Sequence, residues 1–143
     1  MTPSRKYKLD SSEKPTENIF ALGIITPESE IQISWKLNQT LKTSLNLSAP
    51  LSIELKKNTF SSFSCFTFND FEDETHYLLV KNQGENGFLL KNNKHVDYIF
   101  IVKTVHDSLT PRLLKNSLKS IDSLQTVVEL DIMAHKNLTK LPI

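Results

Sequence analysis

The chain has 143 residues, 38% of them hydrophobic and 23% charged, and its formal net charge is +1. That length suits one domain over residues 1–143 with a buried core, and the composition excludes an intrinsically disordered chain. Balanced charge excludes a molecule-wide field that would gather nucleic acid or anionic membrane.

Residues 1–5 read as loose, Lys6-Tyr7-Lys8-Leu9 as a short strand and residues 10–17 as a polar connector. The N-terminus shows no apolar run behind its basic residues, so no secretory leader is expected. No segment approaches the roughly 20 apolar residues of a membrane span. The expectation is a soluble protein without membrane insertion, in a reducing, cytoplasmic setting.

Asn18–Ile25 reads as a strand, with Gly23 marking a bulge or a close backbone approach. Thr26-Pro27-Glu28 reads as a helix start, with Thr26 as cap and Pro27 at the first position. The helix is expected to run to about Leu45. Ile33, Leu37, Leu41 and Leu45 form its apolar face, with Ile31 and Trp35 on adjoining rows. Residues 46–50 form a linker. Residues 51–57 alternate, with Leu51, Ile53 and Leu55 inward. Residues 59–69, rich in phenylalanine, read as one strand, followed by an acidic turn and a return strand over Thr75–Lys81.

Phe88-Leu89-Leu90 and Tyr98-Ile99-Phe100-Ile101-Val102 flank the polar turn Asn92-Asn93-Lys94, a strand-turn-strand pattern. The second strand is apolar on both faces over its centre, which marks the middle of the sheet. Strand alternation places Val96, Tyr98, Phe100 and Val102 on one face. A second helix opens at Thr110-Pro111 and buries Leu114, Leu118 and Ile121. Residues 124–131 read as a last strand. Residues 132–143 have no clear period and are expected to be flexible or peripheral, with Leu138, Leu141 and Ile143 able to pack back. The sum is α+β: a mainly antiparallel sheet of about six to seven strands with two helices packed on it.

Several chemistries lack their residues. Gly23, Gly84 and Gly87 are the only glycines, so neither a dinucleotide fingerprint nor a phosphate-binding loop can be written. No G-x-S-x-G elbow is present. Cys65 stands alone, which excludes an intrachain disulfide and a cysteine zinc site, and its strand-like surroundings read as a buried thiol. The four histidines form neither an H-x-H nor an H-E-x-x-H pair. No cofactor, metal site or catalytic residue is expected.

Asp97 and Tyr98 stand out as recognition candidates. A carboxylate between Val96 and Tyr98 in a sheet caps local backbone, binds a cation, or serves recognition or general-base chemistry; the structural role is preferred. Arg112, Lys115 and Lys119 step along the second helix, off its apolar stripe. His135, Lys136 and Lys140 follow in the tail, and Arg5, Lys6 and Lys8 could join them as a phosphate-contacting face.

Val96-Asp97-Tyr98, together with Ser62-Phe63 through Phe68, Tyr77-Leu78-Leu79 and Trp35-Lys36-Leu37-Asn38, resembles the IPExxxVDY family of bacterial proteins. The resemblance covers roughly residues 18–103. Leu90-Lys91-Asn92 departs from the family's Ile-Pro-Glu. The resemblance implies a soluble bacterial cytoplasmic protein and brings no activity with it. The functional expectation is therefore a non-enzymatic module that binds a protein partner through a sheet edge, helix face or tail. One alternative is an RNA-associated accessory protein using the basic helix and tail. Another is an enzyme with an unrecognised site.

Overall fold

The structure, a computed structural model, describes residues 17–143. The expected strand at Lys6-Tyr7-Lys8-Leu9 and the cations Arg5, Lys6 and Lys8 lie outside the described residues. In chain order the elements are β1 (Asn18–Ile25), α1 (Glu30–Leu41), β2 (Asn46–Leu47), β3 (Leu51–Lys56), β4 (Thr59–Phe63) and β5 (Cys65–Asp70). Then come β6 (Thr75–Lys81), β7 (Tyr98–Thr104), α2 (Pro111–Leu118) and β8 (Thr126–Leu130). Six strands form one antiparallel sheet in the order β2-β5-β6-β7-β1-β8, and β3 and β4 form a separate hairpin. The α+β reading holds, and β7 lies inside the sheet between β6 and β1.

The two faces of the sheet bury different cores. On the helix face, Phe66, Leu79, Phe100 and Leu22 pair in register across four strands. They meet Ile33 and Leu37 of α1 and Leu114 and Leu118 of α2. On the hairpin face, Leu78, Ile99 and Ile101 meet Ile53, Leu55 and Phe63 of the β3–β4 hairpin. Ile99, Phe100, Ile101 and Val102 are all fully buried, because β7 contributes to both cores. Val96 departs from the expected alternation: it precedes β7 and packs in the hairpin-face core, opposite Tyr98, Phe100 and Val102.

Helix α1 starts later and ends earlier than expected. Its cap is Ser29, whose hydroxyl accepts from the Gln32 N–H (3.3 Å), while the Gln32 side chain accepts from the Ser29 N–H (3.4 Å). The Thr26 hydroxyl instead closes a turn before the helix, accepting from the Glu28 N–H (3.2 Å) and donating to the Ser123 carbonyl (2.8 Å). At the other end Lys42 adopts a left-handed conformation (φ 58°). The Asn38 carboxamide then bonds both the N–H and the carbonyl of Leu45, which is buried beyond the helix. Helix α2 follows its sequence cues, with Thr110 as cap and Pro111 in the first turn. It carries the chain over β1, so that β7 and β8 flank that strand on either side.

The phenylalanine-rich stretch is two strands rather than one. The chain changes partner at Ser64: β4 pairs with β3, and β5 with β6 and β2. Gly23 sits in unbroken register with Ile99 and Val128, so it marks no bulge. A Cβ there would come within 3.0 Å of the Val128 side chain, so it is a close approach. Phe88-Leu89-Leu90 does not form a strand; a single bridge joins Gln83 to Phe88. Residues 132–143, expected as a flexible or peripheral end, fold into two 3-10 turns, Ile132–Ala134 and Lys136–Lys140. They bury Leu138 and Leu141 in the hairpin-face core.

Candidate functional site

Asp97 and Tyr98 enter β7 where the ends of β1 and β6 converge. The Asp97 backbone N–H donates to the Ile24 carbonyl (2.9 Å), and its carbonyl accepts from the Asn82 N–H (3.0 Å). Its carboxylate accepts from the Thr26 N–H at 2.9 Å. The Tyr98 hydroxyl donates to the Glu28 carbonyl (2.8 Å). Both side chains therefore fasten residues 26–28 to the start of β7. Lys36 extends this brace by pairing with Glu28 (2.5 Å) and donating to Ser123 (3.0 Å).

Asn82 is a polar residue that pattern reasoning passed over. It is fully buried, and its amide donates to the Asn93 and Val96 carbonyls (3.1 and 2.8 Å). Its side-chain oxygen accepts from the Leu90 N–H (2.8 Å), and its backbone carbonyl from the Leu89 N–H (3.0 Å). One carboxamide thus organises the loop that replaces the expected strand. A carboxamide two residues past the apolar run Leu78-Leu79-Val80, behind Lys81, was the signal available.

The brace and loop wall a cleft of about 220 Å³, with Lys81, Lys94, Glu28, Asp97 and Tyr98 on its lining. Burial, with Glu30, Asp97 and Glu28 nearby, pushes the Tyr98 phenol up to about 12. The Cys65 thiol is likewise raised by burial, and it donates to the Ala49 carbonyl (3.4 Å). Neither group is set for proton transfer or nucleophilic attack near neutral pH. His76 bonds Asn69 (2.9 Å), and His106 lies 3.0 Å from Asp73. Among the described residues no three His, Cys, Asp or Glu side chains are grouped to hold a metal ion.

The structure separates the cations that the sequence reading gathered. Arg112 and Lys115 lie on α2 and Lys119 caps its C-terminal end, over the helix face. His135, Lys136 and Lys140 lie in the tail, which packs on the hairpin face. The sheet stands between the two sets, so the proposed basic helix-and-tail surface is not assembled. Large apolar residues are exposed at several places, among them Leu47, Phe71 and Met133, and two of them share one row of α1. Ile31 and Trp35, four residues apart on α1, are 71% and 58% exposed, although the sequence placed them beside the buried face. Gln39, one turn further, is also exposed. No described helix is long and apolar enough to cross a membrane.

Compared with known proteins, the chain matches no family model and no curated protein sequence.

Proposed function

We propose that this chain is a non-enzymatic interaction module that takes a protein partner on the outward row of α1. The exposure of Trp35 and Ile31 one helical turn apart carries this reading. A helix already anchored by Ile33 and Leu37 has no packing need for a tryptophan on its solvent side. Tryptophan is a preferred anchor of protein interfaces, and a rigid helix presents it at little entropic cost. A partner with an apolar pocket or groove would fit the pair. The buried, unreactive Cys65 supports a reducing, cytoplasmic setting. Val96-Asp97-Tyr98 supports kinship with the bacterial IPExxxVDY proteins, and its contacts suggest that the tripeptide serves to hold the fold.

The test is affinity purification of the tagged protein from cells that express it, with and without nuclease, alongside Trp35→Ala and Ile31→Ala. A stoichiometric protein partner that survives nuclease and moderate salt and is lost with Trp35→Ala supports the reading. Truncating a central tryptophan should weaken binding by roughly 30-fold or more. A partner held equally by both variants would place the interface elsewhere and overturn it.

A further inference from the structure

On the hairpin face the loop after β6, the β3–β4 hairpin and the tail enclose two hollows of about 250 and 190 Å³. They meet at Leu55 and Lys91, which line both. Lys56, Lys91, Lys94, His135 and Lys136 stand along this groove, and among the described residues no carboxylate residue is on its lining. The neighbouring Glu54 side chain turns aside to accept from the Asn58 N–H (3.1 Å). A chain with a net charge of +1 has thus collected four lysines in one concavity. A cleft lined by one sign of charge focuses its field on a counter-ion. The floor is apolar, with Leu55 and Leu89, and Phe88 and Lys94 border both the first hollow and the cleft that holds Glu28 and Asp97. The Lys94 ammonium lies 5.5 Å from the Phe88 ring centre.

We propose that this groove binds a single-stranded stretch of nucleic acid, with successive phosphates on the lysines and a base against Phe88. Cations spread over two joined hollows suit a ligand with several spaced phosphates. An apolar floor with an aromatic ring suits bases between them. The described lysines of the lining suit point-charge contacts to a backbone. The site uses none of the α2 cations. It lies across the sheet from Trp35, so its fate is independent of the α1 interface.

The probe is a fluorescein-labelled oligouridylate of roughly eight nucleotides, followed by anisotropy over a range of salt. The Lys91→Gln, Lys94→Gln double variant should weaken binding at least about tenfold. It should also flatten the slope of log affinity against log salt by about 0.7 for each lysine removed. Phe88→Leu should weaken binding by at least about fivefold and leave the slope unchanged. Lys115→Gln with Lys119→Gln on α2 should change affinity less than about twofold. Equal losses from the groove and α2 variants would mean diffuse charge and overturn the proposal. So would displacement of the oligonucleotide by tripolyphosphate at equal phosphate concentration, which would mark a simple anion site. Absence of binding at low salt would overturn it outright.

Discussion

The carboxamide of Asn82 takes the place of a strand partner. Truncation to Ala would leave the Leu90 N–H and the Val96 carbonyl without their partner in the interior, while the Asn93 carbonyl keeps the Val96 N–H (3.1 Å). Each unsatisfied group costs about 1–3 kcal/mol, so Asn82→Ala should lose roughly 2 kcal/mol or more in urea unfolding. A loss below about 0.5 kcal/mol would show that the loop is held otherwise. Tyr98 gives a pH signature. Its phenol ionises near 10 in the unfolded chain and at about 12 in the fold. The unfolded state therefore gives up its proton first as pH rises. The stabilisation is complete below pH ~10 and is lost as pH climbs toward about 12, by up to roughly 2–3 kcal/mol. Unfolding of Tyr98→Phe followed across that window should fall less steeply than that of the parent. Parallel curves would contradict the assignment. Asp97→Asn keeps one acceptor for the Thr26 N–H, so its cost should be smaller than that of Asp97→Ala.

At the scale of elements, some cues were local and sufficient while others competed. Thr110-Pro111 opens α2 as read: the Thr110 hydroxyl accepts from the Leu113 N–H, as an N-cap should. Thr26-Pro27 carried the same cue and failed: the Thr26 hydroxyl takes the Glu28 N–H in a turn tied to Ser123, 97 residues away, and the helix begins only after Ser29. The Ser29–Gln32 box three residues on was an equally local signal that pattern reading overlooked. Ser29→Ala should therefore cost about 1 kcal/mol, and thermal unfolding would register it. Apolar runs located β1, β6 and β7 correctly. They misplaced Phe88-Leu89-Leu90, whose backbone is satisfied by a side chain that hydropathy does not see. The partner change at Ser64 carries no glycine or proline, so nothing in the chain announces it. Gly84 shows how tightly the hairpin docks beside the end of β6. A Cβ there would lie 2.4 Å from the Ser61 hydroxyl oxygen and 2.6 Å from the Ser62 carbonyl oxygen. Gly84→Ala should destabilise by about 1–3 kcal/mol, whereas neutrality in denaturant unfolding would mean the hairpin can withdraw.

Across the whole molecule, two cores share one sheet and are closed by different parts of the chain. The helix-face core was readable because α1 and α2 announce their stripes through four-residue spacing. The hairpin-face core was not, since its cover comes from residues 51–63, 89–96 and 138–141 with no common period. The lysine groove is hidden for the same reason: Lys56, Lys91 and Lys136 are distant in sequence and meet only through topology. The α1 pair was visible in sequence, but its outward direction depends on which helix rows the sheet accepts. Leu138→Ala should cost about 2–5 kcal/mol, because it opens the hairpin-face core from beneath. A cost as small as that of an exposed site would mean the tail merely rests on the surface.

Strand β1 has no partner close to it in sequence. Asn18 pairs with Thr104 and Ala21 with Leu130, so both of its ladders wait for the distal half of the chain. The β5–β6 hairpin and β7 can instead assemble from neighbouring sequence. Loop closure then predicts an order: the meander forms first as a nucleus and β1 inserts late between β7 and β8. Until that insertion, its apolar Ala-Leu-Gly-Ile-Ile edge is open to a second nascent chain, and crowding at high synthesis rates becomes the hazard. In stopped-flow experiments Leu79→Ala should chiefly slow refolding, whereas Ile24→Val should chiefly hasten unfolding. The opening strand of the sheet is thus its keystone in time: first to be made and last to be seated.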